Sequence, residues 1–289
     1  MLTQSRHIHP RAFTLIELLV VIAVIAVLVA LVVPGLDRAR ESGLRTASLA
    51  NAHQIGIAGA AYQHDSKELL PFTPVYRRGG IAAPESGPLE GLCPWSFAGA
   101  NNAAYWSGRA FDIEAADRPL NPYIASGITF DAPAAPASIG STEADRKCAD
   151  LPVLRTRGYE DSLERSWPAT PTPDLNPGIP CYQDVGTSYL LNLRWLDAFA
   201  TITNPIERLR VALPKLSDGA SADAAHLVWF TDQSGEAIPR SSDATFSWNN
   251  AFDDDNKSVM GFLDGHAMYL HVRPGTLRDK DYALTLTRP

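Results

Sequence analysis

Between Phe13 and Val33 one residue carries a charge, Glu17. A carboxylate inside so apolar a run costs roughly 2.5–3.5 kcal/mol to place in a membrane, so it is normally paired with a cation and functional. Ion pairing is the chemistry open to it, and snorkelling to lipid headgroups is the plainer alternative. Other groups that could do chemistry lie toward the far end of the chain. Asp253, Asp254 and Asp255 could wrap a calcium ion, although an EF-hand needs Gly at the sixth loop position and Glu at the twelfth. Counted from Asp253, those positions hold Ser258 and Asp264, and a solvated acidic loop is the plainer reading. Asp264, His266 and His271 are close in sequence. Two histidines five apart in a strand point to opposite faces, which opposes a shared ion, and no metal centre is expected there. Cys93, Cys148 and Cys181 form no C-x-x-C pair, which argues against zinc and thioredoxin-type chemistry. No nucleophile-elbow, zincin, Walker A or dinucleotide-binding motif occurs, so no catalytic residue is assigned and the chain is not expected to be an enzyme.

These groups need elements to position them. About 20 apolar residues at about 1.5 Å each span the roughly 30 Å core of a bilayer, so the run from Phe13 predicts a transmembrane helix. Residues 1–12 contain Arg6, Arg11, His7 and His9 and no acid. Basic flanking residues hold that end in the cytoplasm and send the C-terminal side out. An ordinary secretory signal peptide fits less well, because the apolar run exceeds the usual core of about 7–15 residues and no small-residue cleavage site follows it. The net charge of -7 and the lack of a Lys/Arg run exclude a nucleic-acid partner.

The stretch Ala12-Phe13-Thr14-Leu15-Ile16-Glu17-Leu18-Leu19-Val20-Val21 resembles the class III signal of type IV pilins and type II secretion pseudopilins. The resemblance implies cleavage between Ala12 and Phe13 by a prepilin peptidase, with N-methylation of Phe13. The family usually has Gly where this chain has Ala12, and Ala is also small. The resemblance further implies that Glu17 neutralises the new amino group of a neighbouring subunit during assembly. Each charge is costly alone in lipid and far less so when paired. Pro34 closes the apolar run, where helices of this family commonly carry a kinking proline.

Beyond Pro34 the pattern turns amphipathic. Leu44, Ala47, Asn51, Ile55, Ala58 and Tyr62 recur at helical steps, which predicts one long helix from about Phe13 to about His64. Gly43, Gly56 and Gly59 weaken it. Residues 71–180 hold 15 of the 22 prolines, a density that forbids long helices and central strands. A loop-dominated insertion is expected there, folded down by Trp95, Tyr105, Trp106, Phe111 and Tyr123, with Arg118-Pro119-Leu120-Asn121-Pro122-Tyr123 as a structural segment. A disulfide between Cys148 and Cys181 would suit an exported loop. Residues 181–289 read as antiparallel sheet: Thr187–Asn192, a weaker strand at Val211–Leu216, Leu227–Asp232, and two strands about Asp264-Gly265, a leading two-residue hairpin signal. A closing Asp264-Gly265-His266 hairpin is common in the same family, in which a C-terminal loop sometimes binds calcium.

The expected fold is therefore α+β and pilin-like. A long N-terminal helix, its first half transmembrane, packs on an antiparallel sheet of about four strands with a large Pro-rich insertion. The organisation runs as leader 1–12, transmembrane and filament-core helix 13–34, amphipathic helix 35–70, insertion 71–180 and sheet region 181–289. The function implied is a pseudopilin-like structural subunit, single-pass in the inner membrane with its head periplasmic. Its expected partners are prepilin peptidase, other pilin subunits and an assembly platform with a separate ATPase, and no cofactor is expected beyond the calcium alternative. The competing reading is an extracytoplasmic binding module or enzyme tethered by an uncleaved N-terminal helix.

Overall fold

Helix α1 (Leu15–Ser66) is the longest element, at 52 residues. The structure is a computed structural model that describes residues 14–66, 70–76, 89–106, 111–125, 127–128, 130, 150–156, 162–163 and 179–286. The chain divides into two units, residues 1–43 and Leu44–Pro289, and α1 contributes to both. In the first unit every described residue is exposed, including Leu15 (78%) and Leu31 (74%). Pro34 lies inside α1 without ending it, although it lacks the N–H that would reach the carbonyl of Ala30.

In the second unit α1 buries Ser48, Asn51, Ala52, Ile55, Gly56, Ala58, Gly59 and Tyr62, a stripe at three- and four-residue steps. Asn51 Nδ2 donates to the carbonyls of Pro152 (3.1 Å) and Arg155 (3.0 Å), and Tyr189 Oη donates to the carbonyl of Ser48 (3.1 Å). Gly56 and Gly59 do not weaken this part of the helix to no purpose. A Cβ on Gly56 would sit 2.6 Å from the carbonyl oxygen of Gly265, and one on Gly59 would sit 2.8 Å from the Trp229 ring. Both glycines let the backbone come close to the sheet.

That sheet has four antiparallel strands in the order β3 (Tyr189–Leu191), β4 (Val228–Asp232), β5 (Lys257–Phe262) and β6 (Ala267–His271). The apolar run of β4 is buried on both faces, as an unbroken hydrophobic strand requires. On β5, Val259 joins the core that includes Ile55, Trp229 and Phe230. Its neighbours Met260 and Phe262 join a second core with Ile238, Trp248, Val272 and Tyr282. Period-2 alternation thus sends side chains into two layers. The second layer is covered by helix and turn segments after β4 and by the C-terminal segment, a cover the strand pattern did not announce.

Among its described residues the Pro-rich segment holds only short elements and contributes to the core. It forms a two-stranded hairpin, β1 (Pro74–Tyr76) and β2 (Leu89–Leu92), short 3-10 turns and the one-turn helix α2 (Asn121–Ile124). Phe97, Leu120, Leu151 and Leu154 belong to the main core. Arg118 is fully buried; its Nη1 donates to the carbonyls of Ala98 (3.0 Å) and Val185 (2.9 Å), and its Nη2 to Asn102 Oδ1. Asn121 Nδ2 donates to the carbonyls of Gly99 and Ala115 (both 2.8 Å). Trp95 and Trp106 are buried as expected, and Tyr105, although 39% exposed, meets the Trp106 ring edge-on with centroids 5.3 Å apart.

Two expectations are corrected. Val211–Leu216 is not a strand but part of helix α4 (Pro205–Asp223), which follows the short helix α3 (Cys181–Val185) in the chain. Asn204 caps α4 by accepting from the N–H of Ile206 (3.0 Å) and Glu207 (3.2 Å), with Pro205 at its first turn. Pro214 inside the run would also have broken a central strand. The β5–β6 connection is a three-residue loop rather than a two-residue one. Phe262 N donates to His266 O (3.0 Å) and Gly265 N to Phe262 O (2.9 Å). Gly265 takes φ +92° while Asp264 stays out of the left-handed region that a two-residue Asp-Gly turn demands.

Asp232 ends β4 and caps helix α5 (Gln233–Ala237). Burial pushes its carboxyl up to about 6, against the pull of donors from Val259 N, Ser258 Oγ and Gly235 N. The folded chain therefore keeps a proton that the unfolded chain, with an ordinary pKa of about 3.9, has released. Stability should fall as pH rises from about 4 to about 6, by on the order of 1–3 kcal/mol. Denaturant unfolding across that range should show the slope in the wild type and lose it in Asp232→Asn; an equal slope in both would assign it to other groups. A second test concerns helix glycines. Gly56→Ala should destabilise by about 1–3 kcal/mol through collision with Gly265. Gly43→Ala, whose Cβ meets nothing, should gain up to about 1 kcal/mol of helix propensity. Equal melting shifts for the two would refute the close approach.

Candidate functional site

The first turn of α1 is built by a reciprocal cap. Thr14 N and Thr14 Oγ1 both donate to Glu17 Oε2 at 2.8 Å, and Glu17 N donates to Thr14 Oγ1 at 3.2 Å. This is a capping box, with Thr14 as N-cap and Glu17 three residues on. Helix N-termini carry partial positive charge, so a carboxylate is at home there. Glu17 is thus less of an orphan than its apolar surroundings imply, since one of its oxygens is fully engaged within its own turn. Its Oε1 has no hydrogen-bond partner among the described residues, so the carboxylate keeps one oxygen for a cation. The T-x-x-E signal for this cap is present in Thr14-Leu15-Ile16-Glu17, beside the more conspicuous lone charge. Ala12 and Phe13 lie outside the described residues. From Leu15 to Leu36 the large apolar side chains are exposed, and α1 is long and apolar enough to cross a membrane.

The other singled-out residues lie in the second unit. Gly265 O faces the buried side of α1 at Gly56 and also meets His53 Nδ1 at 3.2 Å. His266 stacks on Phe262 with ring centroids 4.1 Å apart and hydrogen-bonds Asp264 through Nδ1. The Asp264-Gly265-His266 turn is therefore a packing device for the helix. In the acidic loop Asp253 and Asp254 have different partners, and Asp255 pairs through its backbone with Asn249. Asp253 adopts φ +57° and accepts from Asn249 Nδ2 (2.9 Å). Asp254 accepts from Tyr269 Oη (2.9 Å) and Lys257 Nζ (3.2 Å), with Arg45 Nη1 at 3.6 Å. Arg45 and Lys257 also lie 5.3 and 5.6 Å from the centre of the Tyr269 ring, a cation–π clasp that ties α1 to β5 and β6. Among the described residues no three His, Cys, Asp or Glu side chains gather as a metal site.

Cys148 lies outside the described residues. Cys181 is buried at the start of α3; its thiol donates to Thr187 O (3.2 Å) and accepts from Gln233 Nε2 (2.6 Å). Cys93 is buried in the same apolar cluster, and burial pushes its thiol up to about 12, which leaves it unreactive at neutral pH.

Residues 9–33 match the family model of the prokaryotic N-terminal methylation motif. The match takes in Phe13, Thr14 and Glu17 and ends one residue before Pro34. It supports a prepilin-type cleavage and methylation signal and indicates a precursor of the type IV pilin or pseudopilin type. Such a motif implies processing by prepilin peptidase and assembly with other pilin subunits, and with the apolar helix it points to membrane anchoring. Neither the curated proteins nor the solved structures compared with the chain gave a match. The α+β architecture of long apolar helix and antiparallel sheet is consistent with a pilin-like fold.

The cap can be tested directly. Thr14→Val keeps the shape of the side chain and removes the hydroxyl, at a cost to the first turn of about 1 kcal/mol. Amide hydrogen exchange of residues 15–18 in detergent should quicken several-fold in the variant, while residues beyond the first two turns stay unchanged. Equal exchange in both proteins would dismiss the cap.

Proposed function

We propose that the chain is a pilin-like structural subunit, cut before Phe13, methylated there, and assembled into a filament of the type II secretion or type IV pilus kind. The observation that carries this reading is the methylation motif at residues 9–33, which overlaps the exposed apolar part of α1, where Glu17 is the single carboxylate before Pro34. In lipid the helix holds the subunit before assembly. In the filament it packs against the same helix of neighbouring subunits, so that the apolar face stays out of water throughout. Glu17 acts through its remaining oxygen, which receives the methylated amino group of Phe13 from a neighbour. The capping box holds that carboxylate in place, and the amine, otherwise a lone cation at the membrane boundary, gains its counter-charge only by joining the row. The work is mechanical, and the energy for polymerisation comes from a separate ATPase through an inner-membrane platform, with the head on the periplasmic side.

Mass spectrometry of the protein from a host with prepilin peptidase should give N-methyl-Phe13 as the first residue; an intact Met1 or a cut beyond Val33 would overturn the assignment. Glu17→Ala should insert in the membrane and be processed as the wild type is, yet enter filaments at a tenth of the wild-type level or less in a shearing assay. Undiminished incorporation would remove the role given to Glu17.

A further inference from the structure

A cavity of about 360 Å³ opens in the second unit, away from α1. Its floor is apolar, with Leu92, Trp95, Phe111 and Leu191 among its lining. Its other side is charged and comes from three separate elements: Arg194 and Asp197 on the 3-10 turn after β3, Arg208 on α4, and Glu236 and Arg240 after β4. Glu236 is shared. Arg240 Nη2 donates to its carboxylate, and Arg194 donates through Nη2 to its main-chain carbonyl (2.9 Å) with Nε 3.7 Å from its carboxylate. Asp197 lies 4.0 Å from Arg194 Nη1. Arg208 differs, because it is held by main-chain carbonyls, Nε to Ile202 (2.8 Å) and Nη2 to Ala200 (3.5 Å). Its Nη1 makes no hydrogen bond among the described residues. Three guanidiniums thus meet two carboxylates, and the surplus positive charge falls on the arginine whose fork is not already on an acid.

We infer that this cavity is a binding site for a carboxylate carried on a large apolar or aromatic body, with the body on the Trp95–Leu191 floor and the carboxylate on Arg208. A guanidinium fork matches a carboxylate in two parallel hydrogen bonds, a geometry that Lys does not reproduce. The volume lies at the small end of ligand pockets, which suits one bulky side chain with its carboxylate and not an extended segment. Two sources share this chemistry: the last residue of a partner chain and a free aromatic acid.

The test uses the full chain in detergent, with calorimetry or ligand-observed magnetic resonance. The probes are N-acetylphenylalanine, its amide, and a tetrapeptide ending in Phe with a free or an amidated terminus. Both acids should bind and both amides should bind at least about tenfold more weakly, in line with a lost charge-assisted bond. A tetrapeptide tighter than the free acid identifies a chain end as the natural source, and equal or weaker binding identifies a small acid. Arg208→Gln should abolish the preference for acid over amide, Arg208→Lys should keep part of it, and Arg210→Gln, one turn face away on α4, should leave it intact. Melting curves of the three variants would show that each is folded. Equal affinity for acid and amide, an acid preference that survives in folded Arg208→Gln, or no binding of either acid at millimolar concentration would overturn the site. None of these readouts depends on cleavage at Phe13 or on filament assembly.

Discussion

Sixteen large apolar side chains between Leu15 and Leu36 are exposed and pack against no other described residue that would bury them. At about 1.5–3 kcal/mol for each side chain taken out of water, their exposure to solvent would cost on the order of tens of kcal/mol. Burial against lipid or against another chain would remove that cost. The rest of the molecule is arranged around a helix whose first part is committed elsewhere. That leaves only the part from Leu44 onward to join the core, through a narrow stripe in which small residues alternate with Asn51, Ile55 and Tyr62.

A narrow face needs close contact, and this is what the head provides. Gly56 meets the carbonyl of Gly265 and Gly59 meets the ring of Trp229. Asn51, a polar residue on the same stripe, is satisfied by main-chain groups far away in sequence, the carbonyls of Pro152 and Arg155. Around the helix the clasp of Arg45 and Lys257 on Tyr269 adds contacts at the rim. The sheet's strength lies in β4 and β5, which bury both faces and divide their side chains between two cores.

How far this could be read in the residues depended on how local the deciding physics was. The apolar run, its one carboxylate and the strand Leu227–Asp232 are statements about neighbours in sequence, and they carried over with small changes in bounds. The hairpin at Asp264-Gly265 was legible as a turn but not as a three-residue loop, because the choice rests on whether Asp264 adopts positive φ. Val211–Leu216 resembled a strand only while Asn204-Pro205-Ile206-Glu207, a helix start, was left out of account. The capping box of Thr14 and Glu17 was equally local and equally readable. The contribution of the Pro-rich segment to the core was not. It depends on Arg118 reaching carbonyls at residues 98 and 185, and no periodicity within the segment encodes such a bond. The charged cavity is less local still, since its arginines come from three elements that meet only once the fold is complete.

The buried guanidinium of Arg118 has a mechanical meaning. It holds main-chain carbonyls from the turn after β2 and from α3 in one fixed star. Residues 95–98 and 185 therefore cannot shift apart without stranding a charge in the interior, which makes them one solid block despite the loops between them. A load entering the head through the amide of Asn51 passes to residues 152 and 155, whose neighbour Leu154 accepts the N–H of Ser188 (2.8 Å) at the threshold of β3. Residues 152–155 thus link the helix to the sheet through hydrogen bonds at both ends, so that a pull on one is felt by the other.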